Sequence, residues 1–139
     1  MKYATKQKPE EDRAADQAKA QLGSIIEMVE ALKAAEDSDN EQAREDAMQT
    51  INEDPLSVEV RSDWHSPGDT ENSKPSEYRI LLCWGGPAVQ IVGDLGEYGE
   101  PESATLQYQD WFTKWADYPL TSEQEQVVIT YAQQFYFEC

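Results

Sequence analysis

Basic residues, histidine and cysteine are all scarce in this chain of 139 residues, and each shortage removes a class of function. Only 11 Lys and Arg stand against 28 Asp and Glu, a net charge of −17 that opposes direct binding to DNA, RNA or an anionic membrane surface. The one histidine, His65, has only Asp63 and Asp69 as local carboxylates, too few partners for a general base or a metal ligand. Cys83 and Cys139 form neither a disulfide framework nor a zinc spacing, which fits a reducing, cytoplasmic compartment. No run approaches the roughly 20 apolar residues needed to cross a bilayer. The opening MKYATKQKPEEDR lacks the apolar core of a secretory signal. With no nucleophile motif either, the expectation is a non-catalytic protein without metal or cofactor.

What is present argues for a folded protein with a polarised layout. Apolar residues make up 39% and aromatics 10%, more than a disordered acidic tail carries. All but one of the fourteen aromatics lie from Trp64 onward, so a polar front precedes an aromatic-rich back. Residues 1–8 carry three lysines and no acid, residues 9–63 carry 16 acids and 5 bases, and residues 64–139 carry 12 acids and 3 bases.

From Pro9 to Glu36, Ala15, Ala18, Leu22, Ile25, Ile26, Val29 and Leu32 recur at the three-and-four spacing of one helix face. Pro9 and the acids behind it suit the first turn. Ala43, Ala47, Met48 and Ile51 predict a second helix ending before Pro55, and the two form an αα-hairpin with a thin apolar seam. Beyond Pro55 the period changes to two. Leu56, Val58 and Val60 alternate with Ser57, Glu59 and Arg61, a strand with one buried face.

After a polar loop, YRILLCW predicts a strand lying centrally or covered on both faces. Gly85 and Gly86 then predict a two-residue hairpin turn, setting Leu82 against Val89, Ile80 against Ile91, Leu81 against Gln90 and Cys83 against Ala88. Ala104, Leu106 and Tyr108 mark a fourth strand, and DWFTKWADYPL reads as an irregular aromatic connector. Thr121 or Ser122, with Gln124 or Glu125, caps a last helix whose face carries Val127, Val128, Tyr131 and Phe135. The chain therefore reads as α+β: an acidic helical hairpin over residues 1–54, then an antiparallel sheet of about four strands and a C-terminal helix over residues 55–139, one continuous domain.

Several other motifs lead nowhere. The Gly93, Gly96 and Gly99 spacing lacks the Lys–Ser/Thr ending of a phosphate loop, and its interleaved acids repel phosphate. The same segment does not match an EF-hand. Trp84, Trp111, Trp115 and Tyr118 lack the lysines of a base-stacking groove, so core packing or an apolar protein interface explains them better.

The acids remain. Asp12 with Asp16, Glu27 with Glu30, Glu41 with Glu45, and Asp46 with Glu53 recur at spacings that keep them near one face, although like charges three or four apart mildly destabilise a helix. An ordinary solvated face is one reading. A carboxylate array that fills a basic nucleic-acid groove is the functional one. One duplex turn carries roughly 20 phosphate charges over about 34 Å, and a chain of this length folds to a diameter of roughly 37 Å. The charge densities are comparable, so the partner-binding candidates are Glu27, Glu30, Glu41, Glu45, Asp46 and Glu53 with Asp94, Glu97 and Glu100 of the Gly-rich loop.

In size, excess acid and lack of catalytic groups, the chain resembles the acidic anti-CRISPR and anti-restriction DNA mimics of phages. The stretch YRILLCWGGPAVQIVGDLGEYGEPESATLQYQDWFTKW, residues 78–115, is similar to proteins of bacterial prophages. The resemblance implies an inhibitor acting in the bacterial cytoplasm that blocks the nucleic-acid groove of a defence protein. It assigns no individual residue. The alternative is a regulatory or assembly protein that binds through its aromatic surface and forms a homodimer through the helical hairpin.

Overall fold

Helix α1 (Glu10–Asp37) is the element around which the others pack. Ala14, Ala18, Leu22, Ile25, Val29, Leu32 and Ala35 form its buried stripe, at the spacing that puts one side of a helix against a core. The stripe enters through Ala14, with Ala15 only half-buried. In this computed structural model, which describes residues 10–110 and 113–137, α1 contacts a helix on one flank, a helix on the other and the sheet beneath. The expected Pro9 start, the lysine-rich first residues, Trp111 and Cys139 lie outside the described residues, as does the Asp12 side chain.

Asp39, with φ at 57°, reverses the chain after α1, and Asn40 caps α2 (Glu41–Glu53) by accepting a hydrogen bond from the Ala43 amide. Ile51 is the fully buried anchor of α2, with Ala47 and Met48 half-buried beside it. Five antiparallel strands follow in simple order: β1 (Ser57–Ser62), β2 (Pro75–Cys83), β3 (Ala88–Asp94), β4 (Thr105–Gln109) and β5 (Ala116–Tyr118). Helix α3 (Ser122–Ala132) closes the fold, and Thr121 with Gln124 forms the reciprocal capping box.

The architecture is α+β, with five strands where the sequence predicts about four. The additional strand, β5, lies inside the expected aromatic connector. It pairs Leu106 with Tyr118 and Tyr108 with Ala116, too few residues to display a period of their own. The expected β2–β3 turn is also different. Ile80 does face Ile91 and Leu81 faces Gln90, but Cys83 faces Val89, so Leu82 is an extra residue and bulges. The connection then runs through four residues, 84–87, with Gly85 at φ 116°.

One face of the sheet carries Tyr78, Ile80, Val89, Ile91 and Leu106, all buried under the helices in a single core with Ile25, Val29, Val128 and Tyr131. In α3 the buried residues are Val128, Ile129, Tyr131 and Ala132; Val127 is half-buried and Phe135 lies past the helix end. Coverage thins toward the first strand, where only Val60 is half-buried against the core. Leu56 is 62% and Val58 36% exposed, so the apolar face expected to be buried on β1 is largely open.

Candidate functional site

All nine predicted partner-binding carboxylates are exposed. At 100° per residue, Glu41, Glu45, Asp46 and Glu53 occupy an arc of about 140° on α2, centred away from Ala47, Met48 and Ile51 with Glu41 bordering the Met48 side. Local partners hold part of this array. Gln42 donates to Asp46 at 2.9 Å, Gln49 donates to Glu53 at 2.9 Å, and Arg44 lies 3.6 Å from Glu41. Glu27 of α1 reaches the same region, sharing a groove of about 160 Å³ with Met28, Ala31, Ala47 and Thr50. Glu30 lies one turn further along α1.

Asp94, Glu97 and Glu100 are placed elsewhere. They crown the β3–β4 connection, a tight turn closed by the Leu95–Pro101 bridge, with the Gly96 amide donating to the Glu100 carbonyl and Gly99 at φ 78°. Glu100 also accepts from the Tyr98 amide at 3.0 Å, and the Ser103 hydroxyl donates to the Asp94 carboxylate at 3.4 Å. Register fixes their position. Asp94 pairs with Glu77 at one end of the sheet, whereas Ser57, four residues past Glu53, pairs with Leu81 toward the other. Those two rows are roughly 14 Å apart along the strands. The loop acids and the Glu53 end of α2 therefore belong to different ends of the molecule.

The aromatics divide as well. Trp84 is 66% exposed at the β2–β3 turn. Trp115 and Tyr118 flank the middle of β5 on opposite faces: Tyr118 meets Tyr108 edge-on at 6.4 Å, while Trp115 lines the open face. His65 is exposed, its Nδ1 3.2 Å from the Ser66 carbonyl oxygen, and no cluster of metal-ligating side chains occurs among the described residues. None of the described helices is long and apolar enough to cross a membrane.

Sequence reasoning passed over the open face of the sheet. There Arg79 pairs with Glu59 at 2.6 Å and Arg61 with Glu77 at 2.9 Å, each across β1 and β2. Gln90 donates to Gln107 at 2.8 Å, and Gln107 donates to Asp117 at 2.9 Å, carrying a polar row across β3, β4 and β5. All of these groups but Asp117, with Val92 and Trp115, border a hollow of about 480 Å³. Period-two alternation of Glu59 and Arg61 with valines is the signal that marks this face. Hydrogen bonding by Arg61 holds the Glu77 carboxyl below its ordinary range.

Within the core, burial raises the Tyr131 hydroxyl pKa far above normal, with Asp54, which accepts a hydrogen bond from it at 2.7 Å, adding to the shift. Tyr78 is raised in the same way by burial and the Asp94 charge, and burial raises the Cys83 thiol. These groups stay protonated at neutral pH and serve packing. No protein-family model, no curated protein and no solved structure matches the chain.

Proposed function

We propose that the protein is a non-catalytic inhibitor whose α1–α2 carboxylates occupy the basic nucleic-acid-binding surface of a bacterial defence protein. The observation that carries this reading is the exposed acidic arc of α2, with Glu27 of α1 at the groove it shares with Ala47 and Thr50 and Glu30 exposed one turn further along α1, on a chain of net charge −17. Residues 10–54 hold 14 acids and only 4 bases, so the helical layer is strongly negative whatever its local pairs. Such a field speeds association with a positive groove and weakens with salt. The loop acids Asp94, Glu97 and Glu100 lie away from the Glu53 end and form a separate contact.

The test uses immobilised protein and a bacterial lysate. A protein retained on the wild type is expected to elute with duplex DNA, and a Glu41→Lys, Glu45→Lys, Asp46→Lys triple variant is expected to retain none of it while keeping its helical circular dichroism. Undiminished capture by the folded triple variant, or a captured partner that duplex DNA does not displace, overturns the reading.

A further inference from the structure

The sheet ends in two unequal edges. β5 is three residues long, a length that protects an edge from pairing. β1 is six residues long, has no proline, and among the described residues pairs with β2 alone. The irregularity near its end places the extra residue, Ser76, in β2, so β1 itself runs without a bulge. On its helix-facing side lie Leu56, 62% exposed, and Val58, 36% exposed; two residues past its end Trp64 is fully exposed. The helix layer stops short of this strip.

We propose that the β1 edge binds a second copy of the chain, the two β1 strands pairing antiparallel with Val60 on the two-fold axis to give one ten-stranded sheet. One rule of strand pairing and two observations select this occupant and this register. First, residues directly opposite in an antiparallel pair share a face, so a register centred on a residue puts both helix layers on the same side. Second, charge chooses which residue is central. Centring on Glu59 sets Glu59 against Glu59, and centring on Arg61 sets Arg61 against Arg61. Centring on Val60 sets each Glu59 against the partner's Arg61. Directly opposed like charges destabilise a sheet, and opposed unlike charges stabilise it.

The existing ion pairs then join into longer rows. Glu77 already holds Arg61, and Arg79 already holds Glu59, within each chain. Across the axis the open face reads Glu77, Arg61, the partner's Glu59 and the partner's Arg79, with alternating sign throughout. Third, the same register places Leu56 opposite the partner's Trp64, so two highly exposed apolar side chains next to the edge cover each other. Val58 meets the partner's Ser62, and Val60 meets its own copy. This interface is separate from the acidic helices and from the hairpin seam, whose apolar stripe is already buried inside the fold.

Sedimentation equilibrium in 0.3 M salt, which screens the repulsion between two chains of charge −17, is the first measurement. The wild type is expected at twice the 15.8 kDa monomer mass. Glu59→Arg and Arg61→Glu, each alone, oppose like charges across the axis and are expected to sediment as monomers with unchanged circular dichroism. Mixed one to one, they restore unlike pairs at both opposed positions across the axis, while each variant keeps one like pair inside its own chain, with Arg79 or with Glu77, and they are expected to form a heterodimer. A monomeric wild type, single variants that still dimerise, or a mixture that stays monomeric each overturns the proposal. Should either variant fail to fold, Val60→Cys decides: oxidation is expected to link position 60 to position 60 in peptide mapping, and a link formed only through Cys83 or Cys139 overturns the register.

Discussion

Replacing Gly93 with alanine tests how the aromatic end of the core is built. Gly93 faces Tyr78 across β2 and β3, and the Tyr78 ring lies over it to donate a hydrogen bond to the Ser103 carbonyl at 2.7 Å. A Cβ at position 93 would stand 2.7 Å from the Tyr78 ring and meet the Ser103 carbonyl oxygen even more closely. Backbone cannot yield cheaply there, because Ser103 is tied to Asp94 through its hydroxyl at 2.9 Å. Overpacking costs about 1–3 kcal/mol, and the displaced hydrogen bond about 1 kcal/mol more. At about 2.1 cal/mol/K per residue, the unfolding entropy makes each kcal/mol worth about 3 °C in Tm. The expected loss is therefore about 6–12 °C. Gly23 provides the control: it lies on the exposed side of α1, and an added Cβ meets nothing within 4 Å. There alanine relieves a helix-interior glycine and raises stability by about 1 kcal/mol, so Tm rises by about 3 °C. Thermal melts followed by circular dichroism read both signs. A Gly93→Ala variant melting within about 2 °C of the wild type refutes the argument, since the required clash would then be absent.

Tyr131→Phe removes the hydroxyl that donates to Asp54 at 2.7 Å and ties α3 to the end of α2. A hydrogen bond to a charged acceptor is worth about 1.5–3 kcal/mol, and denaturant titration is expected to show a lower midpoint with an unchanged m-value. The Arg61–Glu77 pair has a pH signature. Because the folded Glu77 carboxyl is held below its unfolded value, the contribution is fully present above about pH 4.3 and is lost as pH falls through the folded value. Glu77→Gln is therefore expected to melt slightly below the wild type at pH 7, by less than about 1 kcal/mol for so exposed a pair, and to match it near pH 2. A difference that grows in acid contradicts the assignment.

Legibility in the sequence followed the length over which a pattern repeats. The α1 stripe persists over many turns, so its apolar face was readable apart from the shift from Ala15 to Ala14 at its start, an Ile26 that is only half-buried and the buried Ala35 at its end. The α3 cap was readable to within one residue, and the structure settles it on Thr121 and Gln124, which satisfy each other's backbone amides within four residues. β5 has three residues and takes its identity from β4, through Gln107–Asp117 and Tyr108–Tyr118, which no local pattern announces. The bulge at Leu82 was hidden for a related reason. A glycine pair signals a turn, but the number of residues spent in it depends on which register lets Val89 and Ile91 enter the core.

The candidate acids show the same division. Helical spacing alone put Glu41, Glu45, Asp46 and Glu53 on one side of α2, and composition alone set the sign and size of the field. Strand pairing placed the Gly-rich loop, and with it Asp94, Glu97 and Glu100, at the sheet end away from Glu53. Alternation in β1 correctly separated valines from charges, yet could not say whether a helix would cover the valines. By itself the sequence determined local order: where helices run, which strands alternate, and how negative the chain is. Tertiary structure alone decided which edge stays open and which charges meet, because both depend on contacts between residues far apart in the chain, and no periodicity within a segment records its neighbours.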